Sequence, residues 1–397
     1  MLRHGKRIKN KSTSKADIGS EKVVDISEKR LKKRRYHGSG DFILFVFVIG
    51  LVLFGVIMVF SASYYTAMSK EGTPYYYLIR DGMWAAIGTV AMLGLACYDY
   101  HRLKKWHWII LIISFILLIL VFTGLGKEIN HARRWIDLKY ITLMPGELAK
   151  PAVIIFVAAL LSGDASRIRN YKIIFLLLAI ALAMFGLIYK QPNLSTAGTV
   201  IVIILVMMFI AGMNIMSFLS IIGIGLAGLA GLILAKGGFH LERIINFRHP
   251  ETELMEGGYQ VYQSLLSLGS GGIFGVGIGN SIQKTLYLPE PQNDFILAII
   301  GEELGYTGII LLLAAYLVVI WRCVHISINA PDMFGRLLGS GFSIMLSAHV
   351  IFNVLIVTAW MPPTGIILPF VSWGGNALVI FMACIGIMLN ISGQSSK

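Results

Sequence analysis

The carboxylates of YLPEPQNDFILAIIGEELGYTG, residues 287–308, are the side chains in this sequence best placed to do chemistry. Glu290 and Asp294 lead into an apolar run, and Glu302 and Glu303 lie inside it. If a helix begins near Asp294, Glu302 falls ~12 Å deeper and roughly 80° around the axis, with Glu303 beside it. Ionisable groups at such depth face a protein interior or a wet cavity, and a buried support role, paired with a cation such as Lys150, suits this pair. Asp294 stands at the lip. There a carboxylate is either a helix cap or, between apolar walls that raise its pKa, a general base. The residues alone leave both open.

Cations gather in a second stretch, GLGKEINHARRWIDLKYITLMPGE, residues 124–147, with Lys127, Arg133, Arg134 and Lys139. They either bind an anionic ligand or pair with Glu128 and Asp137 as a surface loop. Just beyond, Glu147 precedes Lys150 by three residues, which puts both on one helix face. Prolines recur in MPGELAKP, QPNLSTAG, LPEPQNDF and LPFVSWGG, so Pro145, Pro192, Pro289 or Pro291, and Pro369 each fall near an expected helix start. Proline suits a first helical turn, and four such ends on one side would present unpaired N–H groups to a phosphate. SLGSGGIFGVGIGN has the spacing of a nucleotide loop but no GK[ST] follows it and no strand precedes it; closely packed or re-entrant backbone fits better.

The elements that must position these residues are membrane helices. The 397 residues are 56% hydrophobic and 14% charged, with a mean hydropathy of +0.74, too apolar for a soluble domain of this length. Ten apolar spans fall near 41–63, 80–98, 107–124, 143–162, 171–189, 193–212, 216–235, 294–321, 336–359 and 368–392, each long enough to cross about 30 Å of hydrocarbon. The expected fold class is an all-α polytopic membrane protein with ten transmembrane helices. Residues 1–40 form a basic tail, 41–393 the membrane domain and 394–397 a short second tail.

Of the formal charge of +13, a net +9 lies in residues 1–40. A basic cluster beside the first span is a topology signal and attracts anionic lipid; with no aromatic interleaving or binding motif it does not indicate nucleic acid. The tail is expected to be disordered and cytoplasmic. The basic short loops YDYHRLKKW, GDASRIRNYK and WRCVHISINAPDMFGR then also lie inside, and both termini are cytoplasmic. Residues 236–293 become a long outer loop between helices 7 and 8, longer than connection requires. Cys97, Cys323 and Cys384 have no paired or metal spacing, and the nine histidines form no ligand pattern.

HARRWIDL, MPGELAKPAVIIF, QPNLSTAGTV, RIINFRHP, the run from GGYQVYQ to GEELGYTG, and FNVLIVTAWMPPTGIILPFVSWGGNALVIFMACIGIMLNIS occur in the order seen in one family. The chain resembles the SEDS proteins (shape, elongation, division and sporulation), the membrane peptidoglycan polymerases FtsW, RodA and SpoVE, and is nearer the FtsW/SpoVE branch. It departs from the usual pattern in MPGE, QPNLST, PFVSWGGN and EPQNDF. The resemblance implies polymerisation of lipid II into a nascent glycan strand at the outer face of the bacterial cytoplasmic membrane, for division or sporulation.

On that resemblance Asp294 is the catalytic base, Arg134 with Arg133 stabilises the departing pyrophosphate, and Glu147 and Lys150 shape the inner wall. Gln191, Gln260, Gln263, Lys284 and Glu290 become contacts to sugar or loop. Glu302, Glu303, Pro145, Pro192 and Pro369 are support. A divalent cation, Mg or Mn, would accompany the leaving group. The implied partners are a class B penicillin-binding transpeptidase and membrane proteins of the divisome or of sporulation. A flippase for the same lipid carrier and a non-catalytic scaffold are the alternatives.

Overall fold

A computed structural model describes residues 40–129, 132–137, 142–163, 168, 170–236 and 257–395. Among them the chain forms eleven helices and three short strands. In order these are α1 (Phe42–Glu71), α2 (Tyr76–Cys97), α3 (His101–Leu120), β1 (Gly126–Ile129), β2 (Ala132–Asp137), β3 (Thr142–Leu143), α4 (Pro145–Leu161), α5 (Tyr171–Tyr189), α6 (Leu194–Ile210), α7 (Ile215–Lys236), α8 (Gly257–Ser270), α9 (Ile296–Ile328), α10 (Met333–Val357) and α11 (Gly375–Gln394). Ten of the helices coincide with the expected spans, and α8 falls within the expected long loop. Seven, namely α1, α2, α3, α5, α9, α10 and α11, are long and apolar enough to cross a membrane. The basic tail and residues 237–256 lie outside the described residues.

Local chemistry sets the helix ends. Asp41 caps α1 by accepting from the Leu44 N–H at 2.9 Å, and Gly72 closes it in the left-handed region. Asn170, Asn193 and Asp332 cap α5, α6 and α10 through their side-chain oxygens. Outward-facing Val90, Phe175, Ile224 and Leu317 are exposed apolar side chains, the surface expected of helices solvated by lipid. Helices α4, α10 and α11 bury most of their length. Helix α11 meets α2 where a Cβ on Gly386 would stand 2.3 Å from the Met92 carbonyl oxygen, so glycine sets that approach.

Three sequence expectations need correction. The fold is not purely helical: residues 126–143 carry an antiparallel sheet in the order β1-β2-β3, with a bulge between Lys127 and Glu128. Helix α9 starts at Ile296 rather than Asp294, and it breaks at Gly305, whose φ of 69° and ψ of −169° no helix contains. The glycine-rich loop fills that break. Val276 N–H and Gly277 N–H donate to the carbonyls of Glu302 and Glu303 at 2.9 and 3.0 Å, while Tyr306 N–H and Thr307 N–H donate to those of Gly272 and Ile273 at 2.9 and 3.1 Å. Backbone freed by the break is thus paired again, as an apolar environment demands.

The prolines are the third correction. Only Pro145 opens a helix, as the first residue of α4. Pro192 precedes the Asn193 cap, and Pro289, Pro291 and Pro369 stand well before Ile296 and Gly375. The chain between is held in turns: Leu368 N–H donates to Ser372 Oγ at 2.8 Å, Trp373 N–H to the Gln292 carbonyl at 2.9 Å, and the Tyr316 hydroxyl to the Pro369 carbonyl.

Candidate active site

Asp294 lies in the turn before α9, between the buried Gln292 and Phe295. Two carbonyls, its own and that of Ile366, accept from Asn353 Nδ2 of α10, both at 2.8 Å. One amide therefore staples the turn to the loop 358–374. The Asp294 carboxyl is pushed up to about 6, chiefly because burial strips water from its ionised form, with the Glu290 charge adding to the rise. Hydrogen bonds from its own N–H and from Gly365 N–H, and the Arg134 charge, oppose that rise. Gly365, at φ 76°, adopts a backbone state that turns its N–H to the acid and that other residues reach poorly. Such a carboxyl is ionised at neutral pH yet basic enough to accept a proton.

Arg134 arrives from β2. Its Nε donates to the Gln191 carbonyl at 3.3 Å and its Nη2 to the Pro192 carbonyl. Its Nη1 would lie 3.7 Å from a Cβ on Gly365. The guanidinium is thus set between the start of α6 and the segment that bonds Asp294. Arg133, expected beside it, is directed elsewhere: side chains alternate along a strand, and Arg133 is exposed, 3.8 Å from Glu128. Lys127 pairs with Asp137 at 3.1 Å, so both cations follow the surface-loop alternative. Lys139 falls outside the described residues.

Glu290 holds Lys70, at the end of α1, at 2.5 Å. It also accepts from Gln292 Nε2 at 2.9 Å and Asn293 Nδ2 at 3.4 Å. It serves as a tether of the Asp294 turn. Glu147 and Lys150 pair at 2.6 Å, as their spacing on one helix face suggests, and Lys150 Nζ also lies 2.7 Å from His349 Nε2. Lys150 therefore does not neutralise Glu302 or Glu303.

Glu303 takes Lys284 Nζ at 2.7 Å and the Ser61 hydroxyl at 2.7 and 2.8 Å. Glu302 accepts from Ser267 Oγ at 2.9 Å, Ser281 Oγ at 2.6 Å and Ile282 N–H at 2.8 Å. Lys284, expected to touch sugar, is instead buried in this knot. Gln191 is likewise committed: it is 1% exposed and its Nε2 donates to the Leu118 carbonyl at 3.0 Å. Gln263 is buried on α8 and Gln260 half-buried one turn before it; α8 itself is fixed by Ser264 Oγ donating to the Val357 carbonyl at 2.9 Å.

Sequence reasoning did not single out Lys70, His349, Asn353 or Gly365. Asn353 and Gly365 do stand in the FNVLIVTAWMPPTGIILPF run that carries the resemblance. The arrangement defines a class: a multi-helix membrane protein with a near-neutral carboxylate beside an arginine at one end of its bundle. A base beside an anion-stabilising cation is the equipment of a transfer reaction with a charged leaving group.

Comparison with known proteins assigns the family. The chain belongs to the FtsW/RodA/SpoVE family, described as "Cell cycle protein", whose profile matches residues 42–397. It is 37% identical to Stage V sporulation protein E of Bacillus subtilis (strain 168) over 359 residues, covering 90% of this chain and 98% of that one. It is 36% identical over 362 residues to the probable peptidoglycan glycosyltransferase FtsW of Geobacter sp. (strain M18), again covering 90% and 98%. Among solved structures, a chain from work described as "Structural coordination of polymerization and crosslinking by a peptidoglycan synthase complex" superposes with a TM-score of 0.75 at 26% identity, over 89% of this chain and 98% of that one. RodA of Thermus thermophilus superposes with a TM-score of 0.67 at 26% identity, over 90% and 98%.

Proposed function

We propose that this chain is a peptidoglycan glycosyltransferase that polymerises lipid II at the outer face of the bacterial cytoplasmic membrane. The observation that carries the reading is the Asp294 carboxyl, raised to about 6, in a turn stapled by Asn353 and set beside Arg134. The Asp294 carboxylate accepts the proton of the acceptor sugar's 4-hydroxyl as that oxygen attacks C1 of the donor sugar. The C1–O bond to undecaprenyl pyrophosphate breaks from the opposite side, inverting C1. Arg134 balances the charge that develops on the departing pyrophosphate, an interaction that is strongest in the transition state and therefore lowers the barrier. The names of the relatives support the activity; the residue roles rest on this geometry and on the family resemblance, which implies Asp294 as the base and Arg134 as the partner of the pyrophosphate.

The ten helices that match apolar spans support ten crossings. The excess of Lys and Arg on the tail and the short loops supports cytoplasmic termini and an outward Asp294. A class B penicillin-binding transpeptidase is the proposed partner, in keeping with the resemblance of this fold to a chain of a peptidoglycan synthase complex that coordinates polymerization and crosslinking. Among the described residues no three His, Cys, Asp or Glu side chains converge as a ligand set for a metal, and Glu290 is already held by Lys70. The described side chains form no closed site for Mg or Mn, and no step here is routed through one.

A flippase would use buried acids as a proton path, whereas Glu302, Glu303, Lys150 and Lys284 are engaged in pairs and hydrogen bonds with named neighbours. The test is polymerisation of labelled lipid II by the purified chain, alone and with its transpeptidase. Asp294→Asn keeps the shape of the side chain and removes the base, and is expected to lower kcat by at least about 100-fold. A variant that polymerises at the wild-type rate would end this assignment.

A further inference from the structure

His349 takes no part in the transfer chemistry described above, yet its surroundings give it a defined state. Its Nδ1 lies 2.8 Å from the Met345 carbonyl oxygen and its Nε2 lies 2.7 Å from Lys150 Nζ. A carbonyl only accepts, so Nδ1 carries the hydrogen; Nε2 is then a bare lone pair, the partner an ammonium needs because it has only donors. Lys150 is fully buried, also donates to Glu147 Oε2 at 2.6 Å, and lies 5.7 Å from the centre of the Phe381 ring. A carboxylate, an imidazole and an aromatic face enclose it. An ammonium out of contact with water persists only with such complete engagement.

One helical turn further along α10, on the same face, Asn353 holds the Asp294 and Ile366 carbonyls. A single helix face thus grips two segments that border the site: the turn with Asp294, and the first turn of α4 with Glu147, where a Cβ on Gly146 would lie 3.2 Å from Thr196 Cγ2 and 3.9 Å from Asn193 Nδ2, next to the Pro192 carbonyl that takes Arg134. We propose that His349 is a positioning residue of the transfer site, which by fixing Lys150 sets the Glu147 carboxylate in register with Asp294. This rests on the reading of Asp294 as the transfer base.

The experiment compares His349→Gln and His349→Leu in the purified full chain with labelled lipid II. Glutamine offers an acceptor at similar reach, so His349→Gln is expected to keep at least about a third of kcat. His349→Leu fills the space without accepting, and is expected to lose about tenfold or more in kcat with KM within about twofold. Equal losses in the two variants, or full activity with leucine, would overturn the proposal. Selective ¹⁵N-histidine spectroscopy, with the His349 signal assigned by its loss in His349→Gln, supplies a readout that needs neither activity nor a folded leucine variant. Protonated Nδ1 and bare Nε2 are expected; an Nε2–H or imidazolium signal there overturns the proposal. A wild-type chain that fails to polymerise but shows the expected tautomer would count against the Asp294 reading and leave the Lys150 contact standing.

Discussion

As the proposed base, Asp294 works only when ionised, and the same burial that makes it basic also makes it hard to ionise. Its carboxyl sits at about 6, so kcat/KM of the free protein is expected to fall as pH drops through that value. Two neighbours give the signs of a further test. Arg134 lowers the pKa and Glu290 raises it, so Arg134→Ala moves the acid limb to higher pH even as it slows the reaction, and Glu290→Gln moves it to lower pH. If neither substitution moves the limb, another group is titrating. Stability follows the opposite course: a folded pKa above the ordinary carboxyl range stabilises the protonated fold at low pH, and this contribution is lost as pH rises through about 6. Activity therefore appears over the interval in which that stabilisation disappears. Asp294 stood out in the sequence as a carboxylate at the lip of an apolar run, and only the family resemblance weighed a base against a cap; its staple, Asn353, was not legible, because nothing local links residues 59 positions apart.

Among the elements, α9 departs furthest from its sequence pattern. Hydropathy marks an unbroken span, since it measures the solvent of a segment and not its backbone path. Residues 271–277 and the break at Gly305 belong to one unit, which only long-range backbone pairing reveals. A Cβ on Gly305 would stand 2.3 Å from Gly275 N and 2.5 Å from the Ile273 carbonyl oxygen, in a backbone region closed to other residues. Gly305→Ala is therefore expected to destabilise the fold by roughly 2 kcal/mol or more, seen as a lower melting temperature in detergent; an unchanged transition would show that the break is not strained. The sheet of β1, β2 and β3 was missed for a related reason: Lys127, Arg133 and Arg134 register in a sequence as charge, while strand alternation decides which of them turns inward. The segment beyond the break, from Tyr306 to Ile328, is about 34 Å long and suffices alone to cross the hydrocarbon. Glu302 and Glu303 consequently need not enter it, contrary to the depth inferred from a helix beginning at Asp294.

For the whole molecule, the knot of Ser61, Lys284 and Glu303 joins α1, the loop before Asp294 and α9. Lys284→Met leaves Glu303 buried without its cation and is expected to cost about 3–5 kcal/mol, whereas Lys284→Met with Glu303→Leu recovers most of that loss. Thermal unfolding of both variants in detergent tests this; a single variant as stable as wild type would remove the knot from the account of how the ends are held. Helix α1 also fixes the height of the site. Its thirty residues span about 45 Å, some 15 Å more than the hydrocarbon. Exposed Tyr64 and Tyr65 lie where the helix leaves the apolar layer, the depth tyrosine favours. Lys70 stands about 8 Å beyond, still gripping Glu290, and so ties the turn that carries Asp294 to the end of α1. Under the function proposed above, a carrier lipid would reach Asp294 by drifting sideways within its own leaflet, its tail still dissolved in hydrocarbon.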